Sequence, residues 1–184
     1  MIIFYGYIIY WIAAAIGITW GYHRYFAHKQ YNTNVVMEII MLYLGLLCGG
    51  RSVLTWSAVH RMHHTYADTD KDPHSPKNHP WYAILFSTWR VKHIPRNFIN
   101  DLLRNPRVMF FHRYGIYILV VHWILTTGLF GINAVIINSI IFILSYMGFG
   151  VLNLFGHDAN GPKNNFFINL IAPFEGNHRE HHGV

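Results

Sequence analysis

The histidines of this chain recur at spacings that suit metal binding. His60, His63 and His64 stand at positions i, i+3 and i+4, so on a helix their side chains share one face. The same His-x2-His-His pattern returns near the end of the sequence, at residues 178–182. Imidazole nitrogen suits zinc, copper, iron or nickel, whereas hard ions prefer oxygen ligands. The two patterns together predict a metal site.

A third pair, His23 and His28, is five positions apart, which is about 140° of rotation on an α-helix. The two can share a site only if that helix ends or kinks there. With His157 the candidate metal ligands number nine: His23, His28, His60, His63, His64, His157, His178, His181 and His182. Nine exceeds the four ligands of a structural zinc site and predicts two metals with open coordination positions. Spacing alone leaves the metal open and allows zinc.

Other metal chemistries are excluded. Residues 68–72 imitate the start of a calcium loop, but Pro73 replaces the required glycine and His79 replaces the final glutamate. The sequence contains no His-Glu-x-x-His motif, so it lacks the glutamate that serves as the general base of a zinc protease. Cys48 is the only cysteine in the sequence, which excludes an internal disulfide and a cysteine-based metal site.

The composition predicts a membrane protein. Hydrophobic residues make up 53% of the sequence and charged residues only 12%, about half the usual quarter. Residues 1–22 and 114–156 carry no charge, and the basic residues flank these apolar runs. The net charge of +6 is therefore better explained by the positive-inside rule, which places these residues on the cytoplasmic face, than by a nucleic-acid partner.

Three apolar runs are long enough to cross the membrane, which takes about 20 helical residues. The first is residues 2–21, retained as an anchor, and the other two, 115–131 and 134–155, are expected to form a hairpin. Shorter surface helices are expected near 81–89 and 98–104.

Residues 35–50 are a fourth apolar run. If His23 and His60 serve one site, the chain between them crosses the membrane an even number of times, and residues 29–59 are too few for two crossings. We therefore expect 35–50 to lie in the interface or to dip in and out, with Glu38 and Arg51 near water. The predicted fold is an all-α integral membrane bundle of about three transmembrane helices plus interfacial helices. A cytoplasmic histidine-rich cap completes a single domain over 1–184.

Four motifs carry a family resemblance in order and spacing. They are Gly-Tyr-His-Arg-Tyr-Phe-Ala-His (21–28), His-Arg-Met-His-His (60–64) with Asp-Pro-His (72–74), Asn-x3-His (153–157), and Glu-Gly-Asn-His-x2-His-His (175–182). Nearly the whole chain resembles the membrane-bound fatty acid desaturases, and most nearly their delta-9 branch, which includes stearoyl-CoA-desaturase-like and acyl-lipid desaturases.

The resemblance implies a membrane oxidoreductase of lipid metabolism. It implies a non-haem di-iron centre, with two iron ions held by the nine histidines and a metal-bound water held by Asn153. The implied reaction inserts a cis double bond, in delta-9 members, into a saturated fatty acyl chain, and consumes O2 and two electrons. The electron donor is expected to be a separate ferredoxin or cytochrome b5. The acyl group is carried by CoA, a carrier protein or a glycerolipid, and the sequence leaves this choice open.

The resemblance also suggests substrate-binding residues. Trp56 and Phe149 match positions at the bend of the acyl chain, and Trp11 and Ala15 match positions at the tunnel floor that limit chain length. Packing between helices is an equal alternative for Trp11 and the favoured one for Phe149.

Several polar residues are expected near the ligands or within the bundle. Asp68, Asp72 and His74 are candidates for orienting the ligating imidazoles from behind. His122 lies in an apolar run, where a polar side chain must be paired.

The resemblance implies a four-span bundle with both ends on the side of the site, whereas we count three spans here. The chain is then a fragment shortened at one or both ends, a naturally minimal form or an incomplete reading frame. Three alternatives remain open from the sequence. They are a di-iron lipid hydroxylase or oxygenase on the same scaffold, a non-catalytic membrane protein that binds metal or haem, and an inactive fragment.

Overall fold

The computed structural model describes residues 1–88, 90–158 and 160–182 and is predominantly helical, as predicted. The α-helices are α1 (Ile2–Ala14), α2 (Val35–Leu47), α3 (Val53–Tyr66), α4 (Trp81–Leu85), α5 (Asn100–Leu103), α6 (Pro106–Phe130), α7 (Ile132–Phe155) and α8 (His178–His181). A π-helix (Ala15–Ala27) continues α1, and 3₁₀-helices span Arg96–Phe98 and Phe166–Leu170. The strands β1 (His157–Asp158) and β2 (Gly161–Pro162) pair antiparallel.

Three helical rods are long and apolar enough to cross a membrane: Ile2–Ala27, Pro106–Phe130 and Ile132–Phe155. Helix α6 begins nine positions before the predicted start, because Asn105 caps it. The Asn105 side chain accepts hydrogen bonds from the backbone of Arg107 and Val108, and Pro106 occupies the first helical position. Gly131, at φ +60°, makes the turn into α7.

The first rod and α2 run antiparallel in close contact. Gly17 and Gly45 meet where the two cross, and a Cβ added to Gly17 would lie 2.3 Å from the Gly45 nitrogen. Small residues permit this approach between apolar helices. Helix α2 has only 13 residues, and after it the chain turns at Gly49 (φ +67°) and returns through α3. A helix of 13 residues is shorter than the roughly 20 residues that a crossing takes, and the position of residues 35–50 in the interface stays a prediction.

The prediction that Glu38 lies near water is wrong. Its side chain is buried and accepts hydrogen bonds from Asn105 at 2.7 Å and from Arg107 at 2.9 and 3.0 Å. Since Arg107 opens α6, this ion pair joins α2 to the second spanning rod. Arg51 is exposed, as expected.

His122 has the partners that its apolar surroundings require. The Tyr43 hydroxyl lies 2.7 Å from His122 Nδ1, and His122 Nε2 lies 3.2 Å from the Asn138 side-chain oxygen. Asn138 in turn donates to the Thr126 hydroxyl at 3.0 Å. This network joins α2, α6 and α7 inside the bundle and leaves both imidazole nitrogens paired.

Candidate metal centre

All nine predicted histidines converge at one end of the bundle and divide into two groups. Within each group the nearest ring nitrogens all lie within 4.8 Å of one another, close enough to hold one metal ion. The first group is His23, His28, His60, His64 and His181, and the second is His63, His157, His178 and His182.

The π-helix brings the first pair together. The His28 backbone N–H donates to the His23 carbonyl at 3.0 Å, an i to i+5 bond that places His28 one wide turn after His23. Their ring centroids are 4.9 Å apart. The sequence required the helix to end or kink at this pair, and in the structure the helix is widened to a π-helix and ends at Ala27, directly before His28.

The two His-x2-His-His patterns divide in the same way between the groups. In each pattern the outer histidines, at i and i+4, stay together, and the one at i+3 joins the other group. Thus His60 and His64 belong to the first group while His63 faces the second, and His178 and His182 belong to the second while His181 faces the first. Each pattern therefore bridges both candidate metal positions.

Arg61 fixes this arrangement from behind. All five N–H donors of its guanidinium are used: two on the carbonyls of Phe26 and Ala27, one on the Phe98 carbonyl and two on the Asp101 carboxylate. These donor–acceptor distances run from 2.6 to 2.9 Å. Because Ala27 directly precedes His28 and Arg61 directly follows His60, the contacts hold the end of the π-helix to α3 at the first group.

The distances between ring nitrogens fit bound metal ions. In the first group, His181 Nε2 lies 2.7 Å from His23 Nε2 and 2.9 Å from His64 Nε2. In the second, His178 Nε2 lies 3.0 Å from His157 Nε2 and 3.2 Å from His182 Nε2. Two nitrogen ligands about 2.1 Å from one metal would be about 3.0 Å apart at an angle of 90° and about 3.4 Å apart at a tetrahedral angle.

Hydrogen bonding among the rings does not account for this convergence. One imidazole nitrogen carries at most one proton, so His181 Nε2 cannot donate to two neighbours. His63 Nε2 is buried and has no hydrogen-bond partner among the described residues. A buried lone pair without a donor is costly, and a metal ion in each group would accept these lone pairs.

Carboxylates accept hydrogen bonds from the far nitrogens of two histidines and lie close to that of a third. His23 Nδ1–H donates to Glu175 at 2.8 Å, and His63 Nδ1–H donates to Asp72 at 2.9 and 3.0 Å. His157 Nδ1 lies 3.5 Å from an Asp68 carboxylate oxygen. A proton held on Nδ1 leaves the Nε2 lone pair free to bind metal and fixes the ring orientation.

The structure thus places Asp68 and Asp72 behind ligand candidates, where the sequence analysis expected them. The backbone N–H of His74 donates to Asp72 at 3.1 Å, and its ring lies 4.3 Å from that of His63 between centroids. Glu175 was missed as an orienting residue, although it lies three positions before His178. An acidic residue beside a histidine pattern was the available signal.

The surroundings of several of these histidines favour the neutral imidazole. Burial, with repulsion from neighbouring histidines, lowers the pKa of His181 to about 2 and that of His182 to about 3. Burial also lowers the pKa of His28 to about 4. Neutral imidazole is the form that binds metal, so these three histidines need no proton loss near neutral pH.

A cavity of about 630 Å³ leads from the histidines into the apolar bundle. It is lined at one end by His23, His60, His63 and His178, and further along by Tyr10, Ala14, Ile18, Trp56, Phe149 and Asn153. The predicted substrate residues Trp56 and Phe149 and the predicted water ligand Asn153 thus all lie on its wall. Their roles stay predictions.

Trp11 and Ala15 are placed differently. From α1, the side chains on the cavity wall are those of Tyr10 and Ala14. The Trp11 indole packs against Phe174 at 5.1 Å between ring centroids and donates to the Asn169 carbonyl at 3.1 Å. Ala15 is buried. Neither is on the described lining, and no observation tests their predicted role in limiting chain length.

Comparisons with known proteins identify related enzymes. The chain is 31% identical to a probable acyl-CoA desaturase of Schizosaccharomyces pombe, over 95% of this chain and 40% of that protein. It is 27% identical to the sn-1 stearoyl-lipid 9-desaturase of Anabaena variabilis, over 95% of this chain and 69% of that protein. It is 30% identical to the delta-9 acyl-lipid desaturase 1 of Arabidopsis thaliana, over 78% of this chain and 46% of that protein. The chain thus spans from two fifths to about two thirds of these relatives. No protein-family model matches it.

Proposed function

We propose that this chain, which belongs to the fatty acid desaturase family, introduces a cis double bond into a saturated fatty acyl chain at a di-iron centre. The observation that carries the proposal is the two groups of ring nitrogens, each compact enough for one metal, with four of their histidines on the wall of an apolar cavity. The proposed double-bond position is delta-9, which the names of two relatives support.

The proposed reaction removes two hydrogens from adjacent methylene carbons. O2, the two hydrogens, two further protons and two electrons become two molecules of water. Two irons held by the nine histidines would supply the oxidising power that an unactivated C–H bond requires.

The protein's own residues bind and position the substrate. Apolar side chains such as Ile18 and Phe149 line the cavity, exclude water and match an acyl chain. Trp56 stacks on His60, with ring centroids 5.1 Å apart and planes 19° from parallel, so its indole holds the cavity wall against the first group. Glu175 and Asp72 hold the Nδ1 protons of His23 and His63 and keep their lone pairs directed at the metals, and Asp68 lies 3.5 Å from His157 Nδ1.

The location and partners follow the same proposal. Three candidate spans support a membrane protein. We place it as a multi-pass protein with the centre on the cytoplasmic face, where the basic residues cluster. The electron donor is a ferredoxin or cytochrome b5, and the acyl group is carried by CoA, a carrier protein or a glycerolipid.

The test is the fatty-acid profile of an aerated bacterial host that expresses this chain together with a ferredoxin and its reductase. Gas chromatography–mass spectrometry with derivatised double bonds gives the position. A new unsaturated acid is expected with the wild type and with His93→Ala, an exposed histidine outside both groups, and is expected to be absent with His181→Ala. Hydroxylated acids would assign the chain to oxygenation instead. An unchanged profile with iron-loaded protein in the membrane would contradict the proposal.

A further inference from the structure

The chain between His157 and His178 leaves the level of the metal centre and returns to it. Residues 165–176 form a hairpin loop whose neck is closed by a hydrogen bond from the Asn165 N–H to the Gly176 carbonyl at 2.8 Å. Beside the neck, Glu175 contacts His23 at the centre. The tip of the loop, near Leu170, lies far from it.

Two hydrogen bonds from α1 and the π-helix to the loop show how far the loop extends from the metal centre. The Thr19 hydroxyl donates to the Pro173 carbonyl at 2.7 Å, and the Tyr7 hydroxyl donates to the Leu170 carbonyl at 2.7 Å. Thr19 and Tyr7 are twelve residues apart on one helical rod, which corresponds to roughly 15–18 Å along its axis. Tyr7 lies near the end of the rod opposite to the histidines. A loop beside it therefore lies deep in the bilayer if the rod spans the membrane.

The backbone carbonyls at the tip of the loop are paired, as a position in hydrocarbon demands. Irregular backbone is tolerated at that depth only where its polar groups are paired by protein. All six carbonyls from Ile168 to Pro173 accept a hydrogen bond. Four of the donors are side chains of the adjacent rod: Tyr7, Tyr10, Trp11 and Thr19.

The side chains of the loop also suit lipid. Residues 164–174 include no charged side chain, and Lys163 and Glu175 mark the two ends of this run. Phe166 and Phe167 are each 79% exposed and Leu170 is 63% exposed, which in water would form an unusual apolar patch. The other side of the loop, at Ile171 to Pro173, lines the cavity.

We propose that residues 165–176 are a re-entrant loop inserted into the bilayer, with Phe166, Phe167 and Leu170 in contact with lipid acyl chains. The loop then forms a thin wall between the hydrocarbon of the membrane and the cavity. This inference rests on the proposed membrane span of Ile2–Ala27 and is independent of the catalytic activity.

Nitroxide spin labels in reconstituted phosphatidylcholine vesicles test the proposal. In a Cys48→Ala background, single cysteines replace Phe167, Phe166, Ile12 and Asp70. Ile12 is 51% exposed on α1 and reports on the span, and Asp70 is exposed in the polar segment and reports on water. Because both phenylalanines project from the surface, their replacement leaves the packing intact.

Collision of each label with oxygen, which concentrates in hydrocarbon, is compared with collision with a water-soluble nickel complex. The ratio of oxygen collision to nickel-complex collision is high for a label in lipid. At residues 166 and 167 this ratio is expected to match that at residue 12 and to exceed that at residue 70. A water-like or interfacial ratio at both loop sites, with a lipid-like ratio at residue 12, would overturn the loop. A water-like ratio at residue 12 would overturn the span and the loop together.

Discussion

The Glu175 carboxylate lies 2.8 Å from His23 Nδ1, and both side chains are buried. These residues are 152 positions apart in the sequence. Glu175 sits at the neck of the loop that precedes the last histidine pattern, and His23 sits in the π-helix at the other end of the chain. The contact therefore fixes the last pattern to the first rod as well as orienting one imidazole.

Replacement of Glu175 by glutamine is expected to weaken metal binding. Glutamine keeps the shape of the side chain but removes the charge that holds the Nδ1 proton, and loss of such a partner typically costs about 10- to 100-fold in metal affinity. Chelator competition, followed by iron per chain, measures the change. Glu180→Gln is the matched control, because that carboxylate is exposed and contacts Asn164 rather than a ligand. Equal chelator sensitivity in the two variants would contradict the orienting role.

Arg61→Lys is expected to lower both stability and iron content. Lysine keeps the charge but cannot replace five donors in a planar fork, and hydrogen bonds to charged groups contribute about 1.5–3 kcal/mol each. We expect a lower thermal midpoint and a fall in iron towards one ion per chain, because the lost contacts hold the first group and not the second. Arg104→Lys, at an exposed position, controls for the substitution. A variant with a lower midpoint but full iron binding would reduce Arg61 to a purely structural residue.

The membrane segments and the nine candidate ligands were accessible from the sequence because each rests on a local pattern. Apolar length predicts a span, and i, i+3, i+4 spacing predicts a shared helix face. Which histidine of each pattern joins which metal position was not accessible, because His63 and His181 belong to the group opposite to that of their sequence neighbours. That division depends on how α3 and α8 pack in the folded protein.

The π-helix and the ion pair of Glu38 could not be predicted from the sequence either, because both depend on the folded structure. If residues 15–27 are taken as an α-helix, His23 and His28 point in different directions, and no sequence pattern marked these residues as a π-helix. Glu38 resembled an interfacial charge until Arg107, 69 positions later, was brought against it. Long-range partners of this kind are invisible to periodicity.

Acid is expected to destabilise the metal-free protein. The folded-state pKa values of His28 and His182 are lowered to about 4 and about 3, below the usual value of 6.5. The unfolded chain therefore binds protons below pH 6.5 that the folded chain does not, so stability is full above pH 6.5 and falls as the pH decreases towards 4. The loss is about 1 kcal/mol per such histidine at pH 5.5. Thermal midpoints of chelator-treated protein between pH 7.5 and 5 measure it, and a flat profile would contradict the expectation.

Two adjacent alanines of the first rod, Ala14 and Ala15, are alternative candidates for the residue that limits the length of the acyl chain. Ala14 and Ala15 are both buried, but Ala14 lies on the cavity wall, whereas the family resemblance pointed to Ala15. A leucine at residue 14 would extend into the cavity, so Ala14→Leu is expected to shift the product profile of the active enzyme to shorter acyl chains. Ala15→Leu is expected to lower stability by about 1–3 kcal/mol through overpacking, without a shift in chain length.

Competition between saturated acids of different length in the expressing host measures the preference, and each variant is compared at equal iron content. The same measurement on Trp11→Ala tests the remaining floor residue, since its indole packs on Phe174. A shift towards shorter chains with Ala15→Leu, or towards longer chains with Trp11→Ala, would show that chain length is limited by the residues that the family resemblance indicated. A shift confined to Ala14→Leu would place the end of the acyl chain beside Tyr10 and Ala14, on the wall that the cavity geometry identifies.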